Sequence, residues 1–261
     1  MSLSSAARRL LAVNLKAYLG AAETAAWVGE VARRLGARQM PSDVEIAVLP
    51  SYPMLAEAER NLAPVGVGVG AQDVSAVEGG PHTGEVPAGL LAELGCRYVA
   101  VGHAERRLAF GESDALVAAK AAAAVRHGLV PIICVGESDH GGARAAADQA
   151  VAQTLAALAG MPAAEVVVAY EPIWAIGAAE PADADYVLEV GAALREELDR
   201  TPHDARVLYG GSAGPGTLAP LAARYDGLFL GRRAHQVDGL LAALDEAASA
   251  DRPVSDQGAS R

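Results

Sequence analysis

Short apolar runs alternate with helix-patterned stretches eight times between residues 10 and 248, and no linker interrupts the series. The runs occupy 10–14, 44–49, 65–70, 97–101, 129–135, 166–169, 205–209 and 227–230, the intervening helical patterns 21–35, 52–61, 87–95, 113–127, 143–159, 183–200, 216–223 and 237–248. Apolar residues at successive positions, as in Val166-Val167-Val168-Ala169, mark strands buried on both faces. A strand that returns through a helix each time must pair parallel with its neighbours. Eight such units close into a barrel. The competing open, doubly wound sheet calls for a glycine-rich turn after the first strand. That turn here is Asn14-Leu15-Lys16-Ala17, which holds no glycine cluster. The expectation is one α/β domain over residues 1–248, a closed eight-stranded parallel (β/α)8 barrel, with a polar tail at 249–261.

Composition narrows the class. With 52% hydrophobic residues but only 4% aromatics, the core has to be assembled from Ala, Val and Leu. In Val65-Gly66-Val67-Gly68-Val69-Gly70 the alternation puts small residues on one face, as a crowded barrel interior requires. A net charge of −11 without a basic block argues against nucleic acid as a partner. No apolar run reaches the roughly 18 residues of a membrane span. The first nine residues lack the apolar core of a secretory signal. Cys96 and Cys134 are far apart without metal-ligand spacing, and His82, His127, His140 and His203 show none either. These features point to a cytoplasmic protein with reduced cysteines and no metal.

Function in such a barrel sits at the carboxyl ends of the strands. There the chain carries Asn14 and Lys16 after strand one, His103 and Glu105 after strand four, Glu171 after strand six, Gly210-Gly211-Ser212 after strand seven and Gly231-Arg232 after strand eight. Taken singly, Lys16 reads first as a solvated loop lysine, His103 as a core histidine and Gly210-Gly211 as a tight turn. Placed together on one face, a Lys, a His and a Glu make a proton-transfer site. After Glu171, Pro172 bars the strand from continuing. Ile173, Trp174 and Ile176 then form an apolar loop suited to closing over a ligand, ending at Gly177.

The blocks Asn14-x-Lys16, 101–107 (VGHAERR), 110–114 (FGESD), 170–177 (YEPIWAIG) and 209–212 (YGGS) resemble the triosephosphate isomerase family, in the family's order and across nearly the whole chain. The resemblance implies a TIM barrel that interconverts glyceraldehyde 3-phosphate and dihydroxyacetone phosphate through an enediolate, without a cofactor. It makes Glu171 the base, His103 the electrophile, Lys16 the cation and Asn14 a further ligand of the substrate oxygens. The phosphate then rests on backbone N–H groups of Gly177, Ser212 and the turn at Gly231-Arg232. Pro172, Ile173 and Trp174 belong to a lid over 172–181, and Tyr209 and Glu105 support the site. The family is itself the known example of a histidine kept neutral by a helix N-terminus beside a glutamate base. The long segment 72–86 resembles the family's projecting loop. It implies a homodimer in which Val74 and Val77 are buried by the partner and Thr83 approaches the partner's site.

The chain departs from the family pattern at Leu15, Ala17-Tyr18, Ala104, Glu180-Pro181 and Arg232. Ala104 removes a hydroxyl near the base, and Pro181 stiffens a lid hinge. A Cβ at Arg232 would cost roughly 1 kcal/mol or more if that position required positive φ. Superfamily members with a Gly-Arg turn resemble isomerases of a four-carbon ketose phosphate, so a tetrulose phosphate is the alternative substrate. A silent phosphate-binding barrel and a Schiff-base aldolase using Lys16 are the readings from other classes. Neither accounts for Lys16, His103 and Glu171 together.

Overall fold

The computed structural model describes residues 9–177 and 182–250. Glu180 and Pro181, the altered lid hinge, lie outside the described residues, as does the tail beyond Ala250.

The strands are β1 (Arg9–Asn14), β2 (Val44–Leu49), β3 (Gly68–Ala71), β4 (Tyr98–Val101), β5 (Val130–Val135), β6 (Glu165–Tyr170), β7 (Asp204–Tyr209) and β8 (Gly227–Leu230). Each pairs parallel with the next, and β1 closes on β8 in the register Leu10↔Gly227 to Val13↔Leu230, giving a closed barrel. The helices are α1 (Ala21–Gly36), α2 (Leu55–Leu62), α3 (Ala88–Glu93), α4 (Ala104–Phe110), α5 (Asp114–Arg126), α6 (Ala143–Leu158), α7 (Ala184–Leu198), α8 (Leu218–Leu221) and α9 (Val237–Ser249). None is long and apolar enough to cross a membrane among the described residues.

Strand side chains alternate between two cores. Leu10, Ala12, Ala47, Leu49, Ile132 and Leu208 fill the barrel interior, while Leu11, Val13, Val48, Val168 and Val207 meet the helices outside. Burial of both faces explains the uninterrupted apolar runs. Side-chain caps begin the helices where the sequence places them. Ser113 accepts the Leu116 N–H at the start of α5, and Asp183 accepts those of Asp185 and Tyr186 at the start of α7.

The differences from expectation have local causes. The third strand begins at Gly68 rather than Val65, because Pro64 and left-handed Gly66 (φ 76) hold Ala63–Val65 in a 3-10 turn. The pattern at 52–61 opens as the 3-10 turn Tyr52–Met54 before α2, with Pro53 near its start. The helix expected over 216–223 contracts to the four residues of α8, within which Pro220 lacks an N–H for the ladder.

Val74 is a correction. Expected on an exposed arm awaiting a partner, it is wholly buried in its own barrel. The arm's root is anchored beside it. Lys120 Nζ donates to both Asp73 carboxylate oxygens (2.7 and 2.8 Å), Arg106 pairs with Asp73 at 2.9 Å, and the Ser75 N–H donates to the Val86 carbonyl. Val77 is partly buried, and the exposed part of the segment is 78–85, which carries Thr83.

Candidate active site

A cavity of about 550 Å3 opens among the carboxyl ends of the strands. Asn14, Lys16, His103, Glu105, Glu171, Gly177, Ser212, Gly231 and Arg232 all line it, so residues spread over most of the chain meet in one place.

Asn14 ends β1, and its Oδ1 accepts the backbone N–H of Lys16 at 2.9 Å. That bond turns the chain sharply and leaves Lys16 at φ 50. The turn is fixed from outside by Gln72 Nε2 and Ser51 Oγ, which donate to the Lys16 carbonyl at 2.9 and 3.2 Å. Lys16 Nζ projects across the cavity to Glu105 Oε1 at 2.6 Å. Ser212 is the other non-glycine residue of positive φ among the described residues (φ 54). Both strained residues face the cavity, as expected where a site over-determines its backbone. Arg232 is not among them and starts a 3-10 turn, Arg232–Ala234, so the Cβ penalty expected there does not arise.

His103 caps α4, and its Nδ1 accepts the Glu105 backbone N–H at 3.2 Å. An acceptor at Nδ1 puts the ring proton of the neutral imidazole on Nε2. Nε2 lies 3.6 Å from Glu171 Oε1, too far for a hydrogen bond. Neither atom has another partner, although both are buried. A buried donor and acceptor left open cost stability, and such gaps are kept where a ligand fills them.

Glu171 follows β6, and its backbone N–H donates to the Val135 carbonyl. Its side chain lies over Gly210, where a Cβ would fall 2.5 Å from Glu171 Cγ, so only glycine fits beneath the carboxylate. Burial pushes the Glu171 carboxyl above its ordinary value, while the nearby His103 and Lys16 pull it back only in part. Cys134 points into the interior beneath this carboxylate. Burial first, and then the Glu171 charge, hold its thiol well above the usual thiol range.

The loop after Glu171 is fastened at its root. Pro172 precedes the 3-10 turn Ile173–Ala175, and Trp174 Nε1 donates to Glu137 Oε1 at 2.7 Å. The same carboxylate accepts the hydroxyls of Tyr170 and Tyr186. Ser212 Oγ accepts the Gly177 N–H at 3.0 Å and donates to the Ala175 carbonyl at 2.8 Å. Tyr209 Oη donates to the Gly211 carbonyl and accepts the Ala182 N–H.

Pro172, Ile173, Trp174 and Tyr209 thus stand behind the cavity rather than in its wall. Thr83 is exposed on its own loop and does not reach the cavity of its own chain. Sequence reasoning missed Tyr18, Phe229, Leu230 and Arg233 in the wall. It also missed His235, whose ring meets Tyr18 edge-on at 5.4 Å between centroids. Their one signal was position just past a strand end, which does not say which side chains turn inward.

The family model for triosephosphate isomerase matches residues 9–247. The L-erythrulose-1-phosphate isomerase of Pectobacterium atrosepticum is 44% identical over 252 residues, covering 93% of this chain and 97% of that protein. The triosephosphate isomerase of Thermus thermophilus is 40% identical over 251 residues, covering 91% and 98%. That of Deinococcus radiodurans is 42% identical over 246 residues, covering 90% and 98%. The crystal structure of triosephosphate isomerase from Bartonella henselae matches with a TM-score of 0.78 at 28% identity, covering 92% of this chain and 98% of that one.

Proposed function

The chain belongs to the triosephosphate isomerase family, and on that footing we propose that it interconverts dihydroxyacetone phosphate and glyceraldehyde 3-phosphate. It is an aldose–ketose isomerase. Glu171 takes a proton from the carbon beside the carbonyl and returns it to the former carbonyl carbon. His103 Nε2–H donates to the substrate oxygens and carries the hydroxyl proton from one to the other, so no proton is gained or lost. The enediolate between these steps concentrates negative charge on oxygen, where fixed donors act most strongly. A neutral imidazole and Lys16 supply them, with Asn14 beside Lys16. Backbone N–H groups of Gly177, Ser212, Gly231 and Arg232 take the phosphate, and the loop that begins at Pro172 closes over it to exclude water. The chemistry needs no cofactor.

The observation that carries this reading is the open pair of His103 Nε2 and Glu171 Oε1, 3.6 Å apart and otherwise unpartnered. A carboxylate raised by burial is a stronger base than one in water. In deuterated buffer, dihydroxyacetone phosphate should gain solvent deuterium at the carbon facing Glu171. Turnover without any exchange would overturn the proton-transfer reading.

One observation favours a second substrate. The similarity to the L-erythrulose-1-phosphate isomerase, at 44% over 252 residues, exceeds that to the Thermus enzyme, at 40% over 251. Tetrulose phosphate carries one more CHOH unit in its chain and undergoes the same kind of proton shift between a carbonyl carbon and its hydroxyl-bearing neighbour. Side-by-side assays with the triose and tetrulose phosphates rank the two by kcat/KM. The triose reading places the protein in the cytoplasm, in glycolysis and gluconeogenesis.

The protein acts as a homodimer through residues 72–86. Tyr18, Leu108 and Phe110 are large apolar side chains left exposed, and the exposed 78–85 segment is available to cover such a surface. In that dimer Thr83 of one protomer approaches Asn14 and His103 of its partner. Sedimentation of the parent against a deletion of residues 77–81 tests this, and a parent that runs as a fully active monomer at nanomolar concentration overturns it.

A further inference from the structure

The cavity holds cations of different standing. Lys16 is compensated, since its ammonium lies 2.6 Å from Glu105 Oε1. Arg232 is not: among the described residues its side chain makes no ion pair, and its one side-chain hydrogen bond runs from Nη2 to the neutral Gly177 carbonyl at a long 3.3 Å. A guanidinium carries five N–H donors in a planar fork, so four remain in a side chain that lines the cavity wall. It stands where the turn after β8, the Ser212 turn and the root of the loop after β6 converge. Its charge also acts across this end of the cavity. His235 is pushed below its ordinary value by burial first, and further by the charges of Arg232 and Lys16. Arg232 is exposed, so water serves its free donors at rest, but no carboxylate among the described residues pairs with it, and an anion entering the cavity meets that guanidinium in the wall.

Resting on the sugar-phosphate reading above, we propose that the Arg232 guanidinium is a ligand for the substrate's phosphate group that selects phosphorylated over unphosphorylated substrates, adding a side-chain donor to the backbone N–H groups there. A guanidinium matches a phosphate with two parallel N–H···O bonds, which a neutral carbonyl cannot rival for its donors. The Gly177 bond is therefore a resting contact that holds the fork beside the anion position. Its role is binding: it contacts the phosphate alike in the ground and transition states, and so bears on KM more than on kcat.

The test uses the full-length protein with Arg232→Gln and Arg232→Lys, each checked by thermal melting against the parent. Calorimetric titration with inorganic phosphate comes first, because it does not depend on which sugar phosphate is the substrate. Affinity should fall by about 10- to 100-fold in Arg232→Gln, with Arg232→Lys between the two because it keeps the charge and loses the fork. Kinetics with dihydroxyacetone phosphate and with L-erythrulose 1-phosphate should show KM rising in parallel while kcat holds within about threefold. The loss in kcat/KM should be larger with the sugar phosphates than with unphosphorylated glyceraldehyde, which offers Arg232 no phosphate to hold. Phosphate affinity within twofold of the parent in Arg232→Gln overturns the proposal, as does an equal loss with unphosphorylated glyceraldehyde, which marks a structural role. A parent that binds phosphate through Arg232 yet turns over neither sugar phosphate refutes the assigned reaction while leaving this site standing.

Discussion

The two mouths of the barrel treat buried charge in opposite ways. At the amino end, Arg206 is wholly buried and is met from several strands: by Glu45 at 3.0 Å, Glu165 at 2.6 Å and the Tyr98 hydroxyl at 2.9 Å. Arg97 adds a second cation against Glu45 and Glu165. Apart from Arg206 Nε, this plug is closed on itself. At the carboxyl end, His103 and Glu171 are equally buried, yet their facing atoms are left without partners. Burial pushes the Glu45 carboxyl up, but Tyr98, Arg206 and Arg97 together outweigh it and bring it below its ordinary value. For Glu171 burial prevails. The same cost of desolvation is met by pairing at one end and left standing at the other. One end is closed by its own ion pairs, and the other leaves a donor and an acceptor unpaired beside the cavity.

Removing the plug gives the largest effect. Arg206→Met leaves Glu45 and Glu165 with only the half-exposed Arg97 as their cation and should lower unfolding stability by about 3 kcal/mol in denaturant titrations at neutral pH. kcat/KM at low temperature should stay near the parent's, since the two ends are separate. The pH dependence follows from the sign of the Glu45 shift. A carboxyl lowered on folding contributes stability above its unfolded value of 4.5 and loses it as pH falls. The variant should therefore lose less stability than the parent on acidification below that point. An unchanged unfolding midpoint would show that the plug is decorative.

The complementary break is Glu171→Asp, which withdraws the carboxylate by one methylene. kcat should fall by about 100-fold or more, because misplacement on the order of 1 Å is costly to a reaction in register, while unfolding stability should barely move. Turnover within a factor of two of the parent removes Glu171 as the base.

Glu171→Gln sharpens the contrast further, because it should stabilise the protein while abolishing turnover. Glu171 is raised on folding, so its contribution is complete below 4.5 and is lost as pH rises through the folded value. Glutamine does not titrate, and the gain over the parent, about 1 kcal/mol at neutral pH, should vanish near pH 4. Melting curves across that range decide it, and a gain that shrinks as pH rises contradicts the sign.

The smallest effect is expected from Ala104→Ser. Ala104 and Glu171 share a residual void of about 10 Å3 with Cys134 and Arg107. A hydroxyl there can donate to the carboxylate, adding about 0.5–1 kcal/mol of stability. It should also move the acid limb of kcat/KM to lower pH, and a profile that does not shift places the hydroxyl out of reach of Glu171.

How much of this was legible beforehand differs by element. Strands buried on both faces announce themselves as apolar runs, so seven of the eight positions could be read closely, while Val65 was misread because Pro64 and Gly66 break a pattern that hydrophobicity alone continues. Val74 misled for a related reason. An apolar residue in a long connection looks exposed until Lys120 and Arg106, from α5 and α4, are seen to pin Asp73 and draw its neighbour inward.

The sequence by itself determined the alternation of strand and helix, hence the parallel barrel, and the identity of the groups at the strand ends, because side-chain chemistry and period are local properties. Only the tertiary structure decided which of those groups face one another. The 3.6 Å opening between His103 and Glu171 depends on barrel closure and on the missing Cβ of Gly210. The coupling of Arg232 to Gly177 joins residues 55 positions apart. The plug around Arg206 draws on four strands, with Tyr98, Glu45 and Glu165 brought to it by register. Distances of this kind are set by closure and packing of the whole chain, which no local stretch of sequence encodes.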